Sequence, residues 1–269
     1  MSFSILCSGR RHYEAGEQDS SLCSCVRRCV NGEWASVGRG LASPYRDHCQ
    51  ELKGGDQTSY ILVSNIYSPS RTCLVVSSSH VTIDMRGFTI SGDGFAVGIS
   101  ASVPVEGVTV KNGTVKGFAT GISLAGPGNI VQNMHVDNNS DTGMFLGTSS
   151  LVENVVAQGN RRFGIVATTA SKIKDSVLRF NGNNPASVGL SAGPGSTVTG
   201  NTVWGSIGTG LFASAGSTVI GNTVLETNPG FGMSIVCPSN VKNNTATGST
   251  QANLILAGDG CNVFDNVAP

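Results

Sequence analysis

The feature that most restricts what this chain can become is a glycine followed by an apolar, variable, apolar triplet, which recurs along most of its length. It appears as Gly98-Ile-Ser-Ala, Gly121-Ile-Ser-Leu, Gly143-Met-Phe-Leu, Gly164-Ile-Val-Ala, Gly189-Leu-Ser-Ala, Gly210-Leu-Phe-Ala and Gly232-Met-Ser-Ile, and Asn253-Leu-Ile-Leu closes the series. A second column, mostly asparagine, keeps step with it: Gly113, Asn133, Asn154, Ser176, Asn201, Asn222, Asn244 and Asn266. Each step is about 20 to 25 residues, a length at which one repeat makes one structural unit. Both columns lengthen at the same place, between Gly164 and Gly189 and between Ser176 and Asn201, so one insertion accounts for both.

A unit this short cannot bury a core of its own and must stack on its neighbours. Between the Gly and Asn positions lie short runs rich in Val, Ile and Thr, which read as strands separated by tight turns. The chain is therefore expected to be all-β, a solenoid of about eight or nine coils, each with three short strands paired in parallel about 4.8 Å from the next coil. Two inward columns follow from the register. One is Ile122, Met144, Ile165, Leu190, Leu211, Met233 and Leu254, and the other is Val110, Ile130, Leu151, Ile173, Val198, Val219, Val241 and Val263. The asparagines are expected to form a structural ladder, because Asn tolerates the left-handed turn conformation and its amide can bond the next coil.

Only 13% of the 269 residues are charged, Gly supplies 36 of them, and the formal net charge is zero. Without a global field, neither nucleic acid nor an anionic membrane surface is an expected partner. No stretch approaches the length of a membrane span, and no signal peptide is recognisable, since the apolar run Ser2 to Cys7 is too short and Arg10, Arg11 and His12 follow it. Eight cysteines, an even number, fit disulfides. Cys23, Cys25 and Cys29 lack both the spacing of a common zinc finger and a following His ligand, so no metal is expected there. The organisation reads as an irregular Cys-containing segment at 1–48, open to being an extension ahead of a misassigned start, then a cap and leading strand at 49–80, then the repeats at 81–269.

Three stretches carry a family resemblance: Ser59-Tyr-Ile-Leu through Thr72-Cys-Leu-Val-Val; Val81-Thr-Ile-Asp-Met-Arg-Gly-Phe-Thr-Ile-Ser-Gly92; and Ser-Thr-Val-x-Gly-Asn-Thr-Val at 196–203 and 217–224. From about residue 50 onward the chain resembles the bacterial right-handed parallel β-helix repeat proteins, the pectate-lyase-like superfamily with NosD-type and carbohydrate-binding sugar-hydrolase repeats. The resemblance implies a right-handed coil, an N-terminal cap, an extracellular or periplasmic location and a polysaccharide partner. It also implies that Cys49 and Cys73 staple the cap. Cys237 and Cys261 fall in equivalent turns of adjacent coils, within reach of a second disulfide.

In polysaccharide enzymes of that superfamily the groove commonly runs along the outward side of the first strand column. The corresponding residues here are Ser100, Ser123, Phe145, Val166, Ser191, Phe212, Ser234 and Ile255, none of which is a useful acid or base near neutrality. The paired acids of glycosidases and the acidic motifs of pectate lyases, polygalacturonases, alginate epimerases and pectin esterases are missing as well. What remains is a charged patch in the middle coils. Asp137 and Asp141 precede one Gly, Arg161 and Arg162 precede the next, and the inserted loop Asn181 to Ser187, with Asn183 and Asn184 at its tip, precedes the third.

These residues are expected to form a wall over a floor of Phe145 and Val166, with Phe212 farther along, as a substrate-binding surface; Asp141, Arg161 and Arg162 are the candidates for chemistry. The competing reading is an exposed ion pair between the Asp and Arg side chains. His135 is placed in the inward column, Lys172, Lys174, Asp175 and Arg179 on a solvated face, and Asp84 with Arg86 in a capping ion pair. No cofactor is expected; no loop shows the oxygen-ligand spacing of a calcium site. The leading function is a secreted carbohydrate-interacting protein, acting as a lyase or hydrolase on an acidic polysaccharide if it is an enzyme. The alternative is a noncatalytic structural or adhesion protein. An interrupted threonine column, Thr114, Thr202, Thr223 and Thr245, makes ice binding a third.

Overall fold

A computed structural model of the chain describes residues 35–37, 49–53 and 56–269. Cys7, Cys23, Cys25 and Cys29, and most of segment 1–48, lie outside the described residues. The chain is a right-handed parallel solenoid. Its first face is a sheet of ten strands running from Gln50–Leu52 to Ala252–Ala257, one per turn, so there are about ten turns where eight or nine were expected. The difference lies at the start, where Gln50–Leu52 already stacks in parallel on Leu74–Val76. A second sheet of seventeen strands wraps the other two faces. In three consecutive coils it runs unbroken through the corner between them, as Thr109–Lys116, Ile130–Asp137 and Leu151–Gln158.

The glycine column supplies the second residue of seven of the ten first-face strands, and its cause is space. A Cβ on Gly121 would lie 2.6 Å from the carbonyl oxygen of Gly143 and 2.7 Å from Val136 Cγ1. Beyond it, Ile122, Met144, Ile165, Leu190, Leu211 and Met233 are buried and Leu254 is partly so, as expected. Each such side chain stabilises the fold by about 1.5–3 kcal/mol.

The second inward column is corrected by one residue in two coils. Val110 stacks on Val131 and Val152, and these on Ile173, Val198, Val219, Val241 and Val263. Ile130 and Leu151 belong to the adjacent outward row and are only half-buried. The asparagine column slips in the same two coils. Asn201, Asn222, Asn244 and Asn266 form a ladder, each side-chain amide donating to the next side-chain carbonyl at 2.9–3.0 Å, with the first three buried. The positions stacked above it are Ser176, Val155, Met134 and Gly113.

Asn133 and Asn154 lie one residue earlier, exposed, with φ of 53° and 52°. They continue from Asn112 in a second, surface ladder whose members are 21 residues apart. The physical difference is plain. The surface asparagines supply the left-handed bend, whereas the buried ones close the hydrogen bonds under it.

Two further internal ladders escaped the sequence reading. Asn139, Asn160 and Asn181 are fully buried at the corner leading into the first face, each side-chain carbonyl accepting both the backbone N–H and the side-chain amide of the preceding member. At the corner after the first face, Ser150, Ser171 and Ser196, then Ser217 and Ser239, link hydroxyl to backbone N–H across coils. Disulfides join Cys49 to Cys73 and Cys237 to Cys261, tying adjacent coils near either end of the described array.

Candidate functional site

The outward row of the first face has the expected register. Ser100, Ser123, Phe145, Val166, Ser191, Phe212, Ser234 and Ile255 are successive partners, preceded by Glu51 and Val75. Parallel pairing sets them about 4.8 Å apart, so Phe145 and Phe212, three coils apart, are separated by about 14 Å. Phe145 is 37% exposed, and Val166 and Phe212 are partly exposed.

Beside this row, in the turn leading into the strands, the structure places Asp141 directly under Arg162: the Arg162 backbone N–H donates to the Asp141 carbonyl at 2.8 Å. The Arg161 N–H donates likewise to Asn139, and the Val188 N–H to Arg162. Asp141, Arg161, Arg162 and the inserted loop thus form one continuous edge along three coils. The Asp–Arg ion pair of the competing reading does not form. Among the described residues the ion pairs are Lys53–Glu51, Lys111–Asp84, and Lys174 with Glu153 and Asp175. Asp141 instead accepts from the Thr142 hydroxyl at 2.9 Å, and the Arg162 guanidinium lies 4.9 Å from the ring centroid of Phe163.

Phe163 was missed by the sequence reading. It stands immediately before Gly164, in the row Thr120, Thr142, Phe163, Val188 and Thr209, a position the glycine motif marks but does not include. In the inserted loop Asn183 and Asn184 are exposed and hold the loop's shape: the Asn184 amide donates to Asn183 Oδ1, and Asn184 Oδ1 accepts from the Ala186 N–H.

Asp137 does not join this wall. It stands on the third face, in the row Lys116, Asp137, Gln158, Arg179 and Trp204. Its Oδ1 is buried without a hydrogen-bond partner among the described residues, and burial holds its carboxyl above the usual range against the opposing pull of His135, Arg179 and Lys116. A carboxyl raised in the folded state binds more protons folded than unfolded just above its ordinary range. Stability therefore falls as pH climbs through that window and stays reduced above it. Asp137→Asn is accordingly expected to raise the thermal midpoint at pH 7 and to leave it unchanged at pH 2.5, where both states are protonated; scanning calorimetry at the two values checks this.

His135 is also corrected. It pairs with Thr114 and Val156 in an outward row and is exposed, while Val136 takes the inward place beside Val115 and Ala157. The cause is the same one-residue slip at the corner. The Asp84–Arg86 pair is replaced by Asp84–Lys111 at 3.8 Å, with Asp84 accepting the Arg86 backbone N–H. The threonine row is interrupted by His135, Val156 and Val177. No group of three His, Cys, Asp or Glu among the described residues is arranged to hold a metal ion. No helix among them is long and apolar enough to cross a membrane.

A family model described as "right handed beta helix region" matches residues 52–184 and 120–268. The chain belongs to the right-handed β-helix family. Among solved structures, this β-helix is similar to the full-length tailspike protein 2 of Escherichia coli O157:H7 bacteriophage CAB120, at 11% identity and a TM-score of 0.55 over 76% of this chain. The match spans 34% of that tailspike, about a third of its length. The Azotobacter vinelandii mannuronan C-5 epimerase AlgE6 A-module is a more distant likeness, at 12% identity and a TM-score of 0.46, covering 82% of this chain and 78% of that one. These likenesses concern the fold. No significant match to a curated protein was found.

Proposed function

We propose that this β-helix binds a polysaccharide lengthwise along its first face, with Phe145, Phe163 and Val166 as the floor and Asp141, Arg161, Arg162, Asn183 and Asn184 as the polar edge. The observation that carries this reading is the open register of the floor beside an edge whose charged groups have no ion-pair partners among the described residues. Two phenylalanines in a row of regular rise, with Phe163 beside it, suit the repeating apolar faces of a glycan, and guanidinium groups without ion pairs among the described residues suit hydroxyls or uronate carboxylates. Phe212 extends the same floor three coils on.

The protein is a binder on this reading, and not a familiar hydrolase or lyase, because the outward row from Ser100 to Ile255 offers no group to move a proton. Chemistry, if there is any, falls to Asp141 with Arg161 and Arg162. The two disulfides fit an oxidising compartment, extracellular or periplasmic.

Affinity electrophoresis against neutral and acidic polysaccharides is the test. At least one glycan should retard the protein, and Phe145→Ala and Arg161→Ala should each weaken retardation about ten-fold, the loss of roughly 1.4 kcal/mol. Absence of retardation across the panel would favour a structural or adhesion role. Release of reducing ends, or ultraviolet absorbance from an unsaturated uronate, would show cleavage and return Asp141 to scrutiny.

A further inference from the structure

On the opposite side of the same turn, at the far edge of the third face, Phe180 and Trp204 form an exposed ring pair with centroids 4.7 Å apart and planes inclined at 55°. We propose that this pair is a second saccharide-binding platform, separate from the first-face groove. Three features show that the rings are placed and held.

Phe180 has a φ of 54°, in a turn column where neighbouring coils carry Asn138, Gly159 and Gly205. A bulky side chain there costs about 1–2 kcal/mol of backbone energy that Asn or Gly would largely avoid. The next coil makes room for it, since a Cβ on Gly205 would lie 2.8 Å from Phe180 Cδ1. Finally, the Trp204 indole Nε1 donates to Glu226 Oε2 at 2.7 Å, so the ring is oriented by a carboxylate from the following coil.

The surroundings select the occupant. Arg179 precedes Phe180 in the chain and is the strand partner of Trp204; its Nε donates to Gln158 Oε1 at 2.6 Å. The row continues through Gln158 and Asp137 to Lys116. From Lys116 to Trp204 the row spans about 19 Å at parallel-strand spacing, long enough for several pyranose rings. Two rings bordered by a guanidinium, a carboxamide and carboxylates offer far less apolar surface than the roughly 800 Å² per partner of a stable protein interface. They suit a sugar, whose C–H face packs on the rings while its hydroxyls take the polar fringe.

The test uses the full chain carrying Trp34→Phe, which leaves Trp204 as the sole indole of the two in the sequence. Its emission is followed during titration with cellohexaose, xylohexaose, laminarihexaose and hexagalacturonate. At least one oligosaccharide should give a saturable change. Phe180→Asn should weaken that binding at least ten-fold while leaving the thermal midpoint equal or higher, because Asn suits the turn better than Phe. Phe145→Ala should leave it unaltered.

No saturable change with any of the four sugars would overturn the proposal, as would binding indifferent to Phe180→Asn. Loss of the Trp204 signal on Phe145→Ala would assign the binding to the first face alone. Self-association abolished by Trp204→Ala would show a second copy as the occupant and overturn it too. Failure here leaves retardation by the first-face groove untouched, and the reverse also holds.

Discussion

Asn222→Leu should cost about 4 kcal/mol or more of stability, read from chemical denaturation, although the two side chains are similar in size. The Asn222 side-chain carbonyl accepts from both the backbone N–H and the side-chain amide of Asn201, each at 3.0 Å; its own amide donates to Val198 O at 2.9 Å and to Asn244 Oδ1 at 3.0 Å. Leucine would strand these groups at a site 1% exposed, and each unsatisfied buried polar group costs about 1–3 kcal/mol. Asn133→Ala, in the exposed surface ladder, should cost only about 1–2 kcal/mol, because water replaces the lost amide bonds and the left-handed φ of 53° is what opposes alanine there. Equal losses at the two positions would refute the distinction drawn between the ladders.

Gly121→Ala should be nearly as damaging, at about 3 kcal/mol, although it adds a single methyl group. The new Cβ would press on the Gly143 carbonyl oxygen at 2.6 Å and on Asn139 Nδ2 at 2.9 Å, and neither can retreat without breaking the sheet or the buried amide ladder. Gly195→Ala supplies the comparison: there nothing lies within 4 Å of the added carbon, and only the left-handed φ of 68° opposes it, for about 1 kcal/mol. Paired thermal and urea melts of the two variants separate crowding from backbone strain.

The contrast between Gly121 and Asn133 also explains what the sequence made legible. The glycine column admits one residue type for a steric reason that repeats in every coil, so the register of the first face, its inward apolar row and its outward row from Ser100 to Ile255 could be read off correctly. At the next corner asparagine serves two purposes in adjacent positions. In the coils of Asn133 and Asn154 it shapes the bend at the surface; from Asn201 onward it closes hydrogen bonds beneath.

A reading that treats all asparagines as equivalent joins the two columns. It thereby turns His135 inward, exchanges Ile130 for Val131 and Leu151 for Val152, and puts Asp137 on the wrong side of the turn. The surface candidates fared according to their distance from the glycine anchor. Arg162 and Phe145, close to it, lie where expected, whereas the Phe180–Trp204 pair becomes visible only once the insertion is counted into the spacing.

The buried amide ladders divide the length of the molecule between them. Asn139, Asn160 and Asn181 brace one corner in the earlier coils; beyond them Ser206, Thr227 and Ser249 take the same places, with hydroxyls that have no partner among the described residues. The other corner acquires its bracing only from Asn201 onward. The rod is thus stiffened by two keels on different edges, one ending at Asn181 and the other beginning a coil later at Asn201, and the handover falls at the coil bearing the 181–187 insertion. Across that seam Ser171 and Ser176 donate their backbone N–H groups to Ser196 Oγ and Asn201 Oδ1, and the Asn201 amide donates to the Ile173 carbonyl, but no amide-to-amide bond among the described residues joins the two keels. A fluctuation that parts the stack is expected to start there, beside the residues assigned to glycan contact, with each half keeping its own keel intact.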